Sequence, residues 1–154
     1  MNHTETNPLY EQRFRTLIIL RAAMALSLVT ASVAVAVLYV SGSLPAAALS
    51  RGVAEAVFAV GLLLLVAAPS VKRAMLKRAE AEEGFESDPA SRLSAYMKAT
   101  VVSFALREAA GLAGFVLAPL TGNPWWSWGL AGGALIAMGV DRPRREDLRL
   151  TWPP

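Results

Sequence analysis

Residues 17–40 read LIILRAAMALSLVTASVAVAVLYV, and Arg21 is the one charged side chain in this apolar stretch. At about 1.5 Å per residue, a helix of this length crosses the ~30 Å hydrocarbon core of a bilayer. The stretch exceeds the ~7–15 apolar residues of a secretory signal peptide, and a polar leader precedes it. It therefore predicts a transmembrane helix at the start of the fold.

The composition of the whole chain is that of a membrane protein. Of 154 residues, 55% are hydrophobic and 18% are charged, and the mean hydropathy is +0.42. A soluble domain of this length requires a larger polar surface, because its apolar residues cannot all be buried. The lipid bilayer is therefore the first expected partner.

Three more apolar stretches follow the first. The second ends at Pro69, the third contains Pro119 near its end, and the fourth is the shortest and the richest in glycine. We expect an all-α, polytopic membrane protein, in which a bundle of four transmembrane helices occupies residues 17–140. The expected spans are about 17–40, 52–68, 99–120 and 125–140.

The distribution of lysine and arginine predicts the orientation. With residues 1–16 and 141–154 as cytoplasmic tails, twelve basic residues lie inside and Arg51 alone lies outside. Cytoplasmic loops of membrane proteins carry such an excess, so we expect an N-in/C-in protein of the bacterial cytoplasmic (inner) membrane. This topology explains the pI near 9.7 without a nucleic-acid partner. The twelve residues are Arg13, Arg15, Lys72, Arg73, Lys77, Arg78, Arg92, Lys98, Arg142, Arg144, Arg145 and Arg149.

Residues 71–98 are expected to form a short cytoplasmic helical hairpin. Helix two continues to a stop at Gly84, and helix three begins with Asp88 as N-cap and Pro89 in the first helical position. Basic residues lie nearest the lipid and acidic residues lie farther out. This charge pattern is typical of a solvated face, and a docking surface or an anionic-lipid contact is the alternative.

The outer end of the fourth stretch carries a tryptophan cluster. Residues 121–124, TGNP, supply turn chemistry, and Trp125, Trp126 and Trp128 follow directly. Tryptophan is enriched at membrane–water interfaces, so the cluster is interpreted as a membrane anchor. A ligand platform is the alternative interpretation.

Four ionisable side chains lie within or just inside the expected spans. Arg21 is ~6 Å from the start of helix one and can extend its side chain to the headgroups, while Glu55 is ~5 Å below the outer boundary. Arg107 and Glu108 lie ~12 and ~14 Å from residue 99, which puts Glu108 near the middle of the bilayer. A charge at this depth costs ~2.5–3.5 kcal/mol. Glu108 and Arg107 are therefore the candidate ion- or proton-binding residues.

Neighbouring helical residues point about 100° apart, so Arg107 and Glu108 do not simply neutralise each other. At least one of them is expected to face another helix. Glu108 is either a structural polar tie between helices or a carboxyl group that binds and releases a proton. The candidate intramembrane partners are Arg21, Ser27, Thr30 and Glu55.

Glycines in the third and fourth stretches favour close helix packing. Gly111 and Gly114 follow Glu108, and Gly129 and Gly133 form a GxxxG pair. Small residues at this spacing let two helix backbones approach closely. The contact that they make is either internal to the bundle or part of an oligomer.

Residues 105–108 read ALRE and residues 114–118 read GFVLA. A glutamate thus follows an Ala-Leu-x step and precedes a glycine by six positions, with an apolar stretch after it. This spacing resembles the carboxylate-bearing helix of subunit c, the rotary ATPase proteolipid, and bacterial four-helix integral membrane proteins with a proteolipid-like third helix. The resemblance implies a four-helix fold in which Glu108 is the ion-binding carboxylate.

The residues that serve in enzyme active sites are scarce. The chain has no cysteine, and its single histidine, His3, lies in the polar N-terminal tail, where it cannot by itself build a metal site. No spacing matches a metal site, a nucleophile elbow or a phosphate loop. We therefore expect no enzyme activity, no metal and no cofactor.

Two functional hypotheses remain. The first is a non-enzymatic accessory or structural subunit, which packs as a homo-oligomer or with other subunits of a larger membrane complex. The alternative is an ion-coupled (proton) transport element, in which Glu108 binds and releases a proton and Arg107 tunes it.

Overall fold

The computed structural model describes residues 8–44, 49–81 and 89–141. These residues form four helices and no strand, which confirms the all-α class. The helices are α1 (Pro8–Val40), α2 (Arg51–Glu80), α3 (Pro89–Thr121) and α4 (Trp125–Val140). His3, the stop at Gly84, the N-cap at Asp88 and the basic residues of the C-terminal tail lie outside the described residues.

Three of the helices are long and apolar enough to cross a membrane. The qualifying stretches are Glu11–Val40, Arg51–Glu80 and Ala90–Thr121. The fourth helix has 16 residues, so it is ~24 Å long. It is therefore shorter than the ~30 Å hydrocarbon core of a bilayer.

The second and third helices extend well beyond their apolar parts. α2 passes through Pro69 and ends at Glu80, and α3 begins at Pro89. A proline inside a helix removes one backbone hydrogen bond, but a helix packed against its neighbours tolerates that loss. The expected hairpin at residues 71–98 is thus helical on both arms.

The third helix is central to the arrangement. α3 packs against α1, α2 and α4, and its most extensive contacts are with α2 and α4. α1 and α2 each contact both α3 and α4. Polar groups of α3 therefore have access to side chains from every other helix.

Two hydrophobic clusters hold the helices together. The first joins α1 to α3 through Phe14, Leu17, Leu93 and Tyr96. The second lies farther along the bundle and joins α1, α3 and α4 through Leu28, Phe104, Ala134 and Met138. Arg21 lies between the two clusters along α1, and Arg107 lies one helical turn beyond Phe104 on α3, so both ionisable residues are close to apolar side chains.

Large apolar side chains also cover the outside of the bundle. Leu26 of α1, Leu63 of α2 and Ile136 of α4 are 65%, 65% and 70% exposed. A soluble protein rarely leaves contiguous apolar surface of this kind in water. Helices that are apolar on their outward faces as well as their inward faces are typical of a lipid environment.

The glycines of α3 and α4 lie at helix contacts inside the bundle. A Cβ at Gly114 would lie 2.9 Å from the carbonyl oxygen of Trp126, and a Cβ at Gly111 would meet the side chain of Leu28. On α4, Gly129 faces the ring of Phe58, and Gly133 faces Leu65 of α2, 3.2 Å from a built Cβ. The four predicted packing glycines therefore serve contacts within one chain.

Gly114→Ala is expected to lower the free energy of unfolding in detergent by about 1–3 kcal/mol, because the new methyl group meets backbone atoms of α4 that cannot rotate away. Gly132→Ala is the matched control. No atom of the residues that the structure describes lies within 4 Å of a Cβ at Gly132. Because alanine is also the better helix former, the effect is expected to stay within about 0.5 kcal/mol or to be stabilising. Equal losses in both variants would contradict the close approach of α3 and α4.

Candidate functional site

The candidate site is a layer of polar side chains that crosses the bundle. We call it the polar layer and define it by six residues, which come from α1, α2, α3 and the position that follows α4. They are Arg21 and Ser27 of α1, Lys72 of α2, Arg107 and Glu108 of α3, and Asp141 directly after α4.

Asp141 is the shared anion of two cations. Its Oδ2 lies 2.9 Å from Nη2 of Arg107, and its Oδ1 accepts a hydrogen bond of 3.1 Å from Nζ of Lys72. The Arg107 side chain is only 3% exposed. One carboxylate therefore ties the end of α4 to both α2 and α3.

The position of Asp141 makes these cations necessary. It caps the C-terminus of α4, where its backbone N–H donates to the carbonyl of Ala137. The C-terminal end of a helix carries partial negative charge and disfavours a carboxylate. Lys72 and Arg107 supply the positive charge that offsets both the helix dipole and the partial burial of Asp141.

The pKa of Asp141 lies below its ordinary value of 3.8. Burial of the carboxyl group acts to raise the pKa, but the hydrogen bond from Lys72 and the positive charges of Lys72 and Arg107 outweigh it. Asp141 is therefore ionised at neutral pH.

Lys72 has a second contact besides Asp141. Its Nζ lies 5.4 Å from the ring centroid of Tyr96 on α3, within the range of a cation–π interaction. Arg107, in contrast, keeps Nε and Nη1 without a hydrogen-bond partner among the described residues. The layer thus holds more donors than Asp141 alone can satisfy.

Glu108 faces α1 rather than α4. Its Oε1 is 2.6 Å from Oγ of Ser27, and the same Oγ is 2.8 Å from the carbonyl oxygen of Met24. A hydroxyl group has one proton to donate. Ser27 therefore either donates to an ionised Glu108, or donates to Met24 and accepts a hydrogen bond from a protonated Glu108.

Arg21 joins α1 to the last turn of α4. Its Nε donates a hydrogen bond of 3.1 Å to the carbonyl oxygen of Met138. The last carbonyls of a helix lack intrahelical partners, and a cation near this end is favourable. The side chain of Arg21 thus turns into the bundle and satisfies a backbone group there.

The structure separates the candidate partners that the sequence grouped together. Ser27 contacts Glu108, whereas Thr30 is exposed. Glu55 is remote from the layer, because it forms an exposed 2.8 Å ion pair with Arg51 near the start of α2. Arg107 and Glu108 point to different helices, as their 100° separation requires.

Sequence reasoning missed the partner of Arg107, which is Asp141, and the second cation that Asp141 binds, which is Lys72. Asp141 was assigned to the cytoplasmic tail, and Lys72 was assigned to the charge run of the hairpin. One signal was available in the sequence. The fourth apolar stretch ends at residue 140, so Asp141 lies at the end of this span, at the same height as Lys72, the first basic residue at the inner end of α2.

The opposite end of α4 carries the three tryptophans. The rings of Trp125 and Trp128 pack edge to face with their centroids 5.1 Å apart. Trp126 packs in the same way against Phe58 of α2, with the ring centroids 4.9 Å apart. Tyr39 of α1 lies 6.2 Å from Trp128. The cluster thus connects the start of α4 to α1 and α2, far from the polar layer.

The described part of the chain contains no group of three histidine, aspartate or glutamate residues that could hold a metal ion. No protein-family model, curated protein or solved structure matches the chain. The site consists of ion pairs and hydrogen bonds between helices.

Asp141→Asn is expected to lower the free energy of unfolding in detergent at neutral pH by about 3 kcal/mol, because it leaves the buried Arg107 without an anion. Glu55→Gln is the matched control, since it breaks an ion pair of which both members are exposed. We expect it to cost under about 0.5 kcal/mol.

The effect of pH is a further readout of the same variant. A folded-state pKa below 3.8 means that the ion pairs are retained above that pH and are lost as the pH falls through the folded value. The difference between the unaltered protein and Asp141→Asn is therefore expected to be constant from about pH 5 to 8 and to shrink below about pH 4. A difference that changes between pH 5 and 8 would contradict this assignment.

Proposed function

We propose that the protein is a non-enzymatic integral membrane protein, an accessory or structural subunit that packs in an oligomer or in a larger membrane complex. The observation that carries this proposal is the use of the polar layer. Its side chains bond from one helix to another: Arg107 and Lys72 to Asp141, Glu108 to Ser27, and Arg21 to Met138.

This use of charge is what a structural role requires. Removing one partner of a buried ion pair is strongly destabilising, although the intact pair adds little over apolar packing. Such pairs are suited to fixing which helix faces which. The polar layer links all four helices, so it supports a bundle with one defined arrangement rather than a substrate site.

The proposed topology has four spans, with both chain ends in the cytoplasm of a bacterial inner membrane. The count of basic residues and the tryptophans at the start of α4 support this orientation. α4 is ~24 Å long, and local thinning of the bilayer accommodates a short span at modest cost. The polar layer then lies toward the cytoplasmic edge, because Lys72 is ~32 Å along α2 from Arg51.

The outward face of α4 supports packing with another subunit. No atom of the described residues lies within 4 Å of a Cβ built on Gly132 or Gly139, and the neighbouring Ile136 is 70% exposed. A Cβ at Gly129 or Gly133 would instead contact Phe58 or Leu65 of α2. A second helix can therefore approach α4 closely on the side that the described residues leave open.

The test is the subunit number of the full chain in lipid, measured by single-molecule photobleaching of labelled protein in vesicles. We expect an oligomer, and we expect Gly132→Leu combined with Gly139→Leu to raise the monomer fraction at least about tenfold, because bulky residues block close helix approach. Gly52→Leu is the control, since Gly52 is equally open but lies at the start of α2.

Two outcomes of this experiment differ in meaning. A monomer at every protein density, with no other subunit retained during mild purification, would contradict the proposal. An oligomer that the α4 variant leaves intact would keep the subunit role and exclude α4 as its interface.

The alternative function is a proton transport element that uses Glu108. One observation favours it: the hydrogen bonds of Ser27 fit both the ionised and the protonated form of Glu108. The resemblance of residues 105–118 to the proteolipid helix points to the same carboxylate. Arg107 acts on Glu108 only at a distance in this proposal, because Asp141 binds its guanidinium group.

Infrared difference spectroscopy on the reconstituted protein, against Glu108→Gln, tests this alternative. In the transport role, the carboxyl band is expected to change as the sample is taken across a pH range of about 5 to 9, because the group has to bind and release a proton. Ser27→Ala is expected to shift that band, since it removes the hydroxyl group that Glu108 contacts. A carboxylate that stays ionised across the range would exclude the transport role and leave the structural one.

A further inference from the structure

The cytoplasmic ends of α2 and α3 enclose an open cleft of about 390 Å³. On α2 it is lined by Met75, Arg78 and Ala79, which share one helix face at i, i+3 and i+4 spacing. On α3 it is lined by Ser91, Ser94, Ala95 and Lys98, whose spacing also defines one face. The cleft is within the size range of small-ligand sites.

The cleft lies on the side of the α2–α3 pair that α1 leaves open. α1 packs through Phe14 and Leu17 against Leu93 and Tyr96, and Leu76 of α2 joins that cluster. The lining residues of the cleft lie on other positions of the same two helices. The apolar contact with α1 thus holds the helices in place without filling the cleft.

The charge in the cleft is positive. Arg78 and Lys98 both line it, and neither forms an ion pair with any described residue. No aspartate or glutamate is among the described residues that line it. These two cations and the hydroxyl group of Ser94 offer donors and no negative charge, which is the pattern that recognises phosphate oxygens.

The depth of the cleft specifies the source of the phosphate. Arg78 lies ~40 Å along α2 from Arg51, and Lys98 lies ~14 Å along α3 beyond Arg107. A bilayer with its headgroups is ~40–45 Å thick. In the proposed membrane orientation, on which this step rests, the cleft therefore opens in the cytoplasmic headgroup layer, and Met75 faces the side nearer the acyl chains.

We propose that the cleft between the cytoplasmic ends of α2 and α3 binds the phosphate group of an anionic phospholipid. Arg78 presents its planar guanidinium group to two phosphate oxygens, and Lys98 contributes a second positive charge from the opposite helix. The hydroxyl group of Ser94 donates from the α3 side. The binding of one lipid at this point fixes the separation of the two helix ends.

The experiment is native mass spectrometry of the full chain in detergent, titrated with phosphatidylglycerol or with phosphatidylcholine of the same acyl chains. We expect tighter binding of phosphatidylglycerol. Arg78→Gln combined with Lys98→Gln is expected to weaken it at least about tenfold. Both side chains are exposed, so the fold is expected to be retained, and the unfolding temperature of the variant checks this.

The matched control is Arg73→Gln combined with Lys77→Gln. These residues lie on the same part of α2, are exposed and remove the same charge, but they do not line the cleft. We expect a loss of no more than about threefold from reduced general attraction to anionic lipid. Equal losses in the two double variants, or equal affinity for the two lipids, would overturn the proposal.

Two further arms separate this ligand from its competitors. If inorganic phosphate displaces phosphatidylglycerol at equal concentration, the phosphate site is retained and its assignment to a lipid is overturned.

The connecting residues 82–88 carry four carboxylates. If the unaltered protein binds no anionic lipid and amide replacements of these carboxylates create binding, the chain itself occupies the cleft, and the proposal is overturned. None of these outcomes depends on subunit number.

Discussion

The arrangement of the bundle depends on one buried cation, Arg107, and on the carboxylate that neutralises it. A guanidinium group that is 3% exposed requires an anion close by. Asp141 supplies that anion from the residue directly after α4, so α4 has to end at the level of Arg107. The 16-residue length of α4 and the position of Lys72 along α2 are both tied to this meeting point.

The hydrophobic clusters act together with this ion pair. Apolar contacts stabilise the bundle in proportion to buried area but are not directional, so they permit helices to slide along one another. The 2.9 Å and 3.1 Å contacts of Asp141 permit no such sliding, because a shift of one residue moves its carboxylate by about 1.5 Å. Close packing at Gly114 limits the distance between α3 and α4, while Asp141 sets their relative height.

The fold could be predicted from the sequence to a large extent, because helix ends leave local signals. The apolar stretches predicted ends at residues 40, 120 and 140, and the helices end at Val40, Thr121 and Val140. Ser27 was a predicted partner of Glu108 because their depths match. The Asp141 contacts could not be predicted, since they depend on the rotation of three helices and on their relative heights. The sequence gives depth only with respect to an assumed membrane boundary.

The adjacent residues Arg107 and Glu108 connect α3 to different helices, and these two connections restrain their helices to different degrees. Arg107, Lys72 and Asp141 join α2, α3 and α4 through charge, whereas α1 contacts the polar layer through the hydroxyl group of Ser27 and through a hydrogen bond from Arg21 to a backbone carbonyl. α1 is also much less buried than α3: 11% of the most apolar part of α1 is buried, against 44% for α3. A change in protonation of Glu108 would act on the α1–α3 contact and leave Asp141 bound. Whether the protein serves as a subunit or moves a proton, the helix with the greatest freedom to change its contacts is therefore α1.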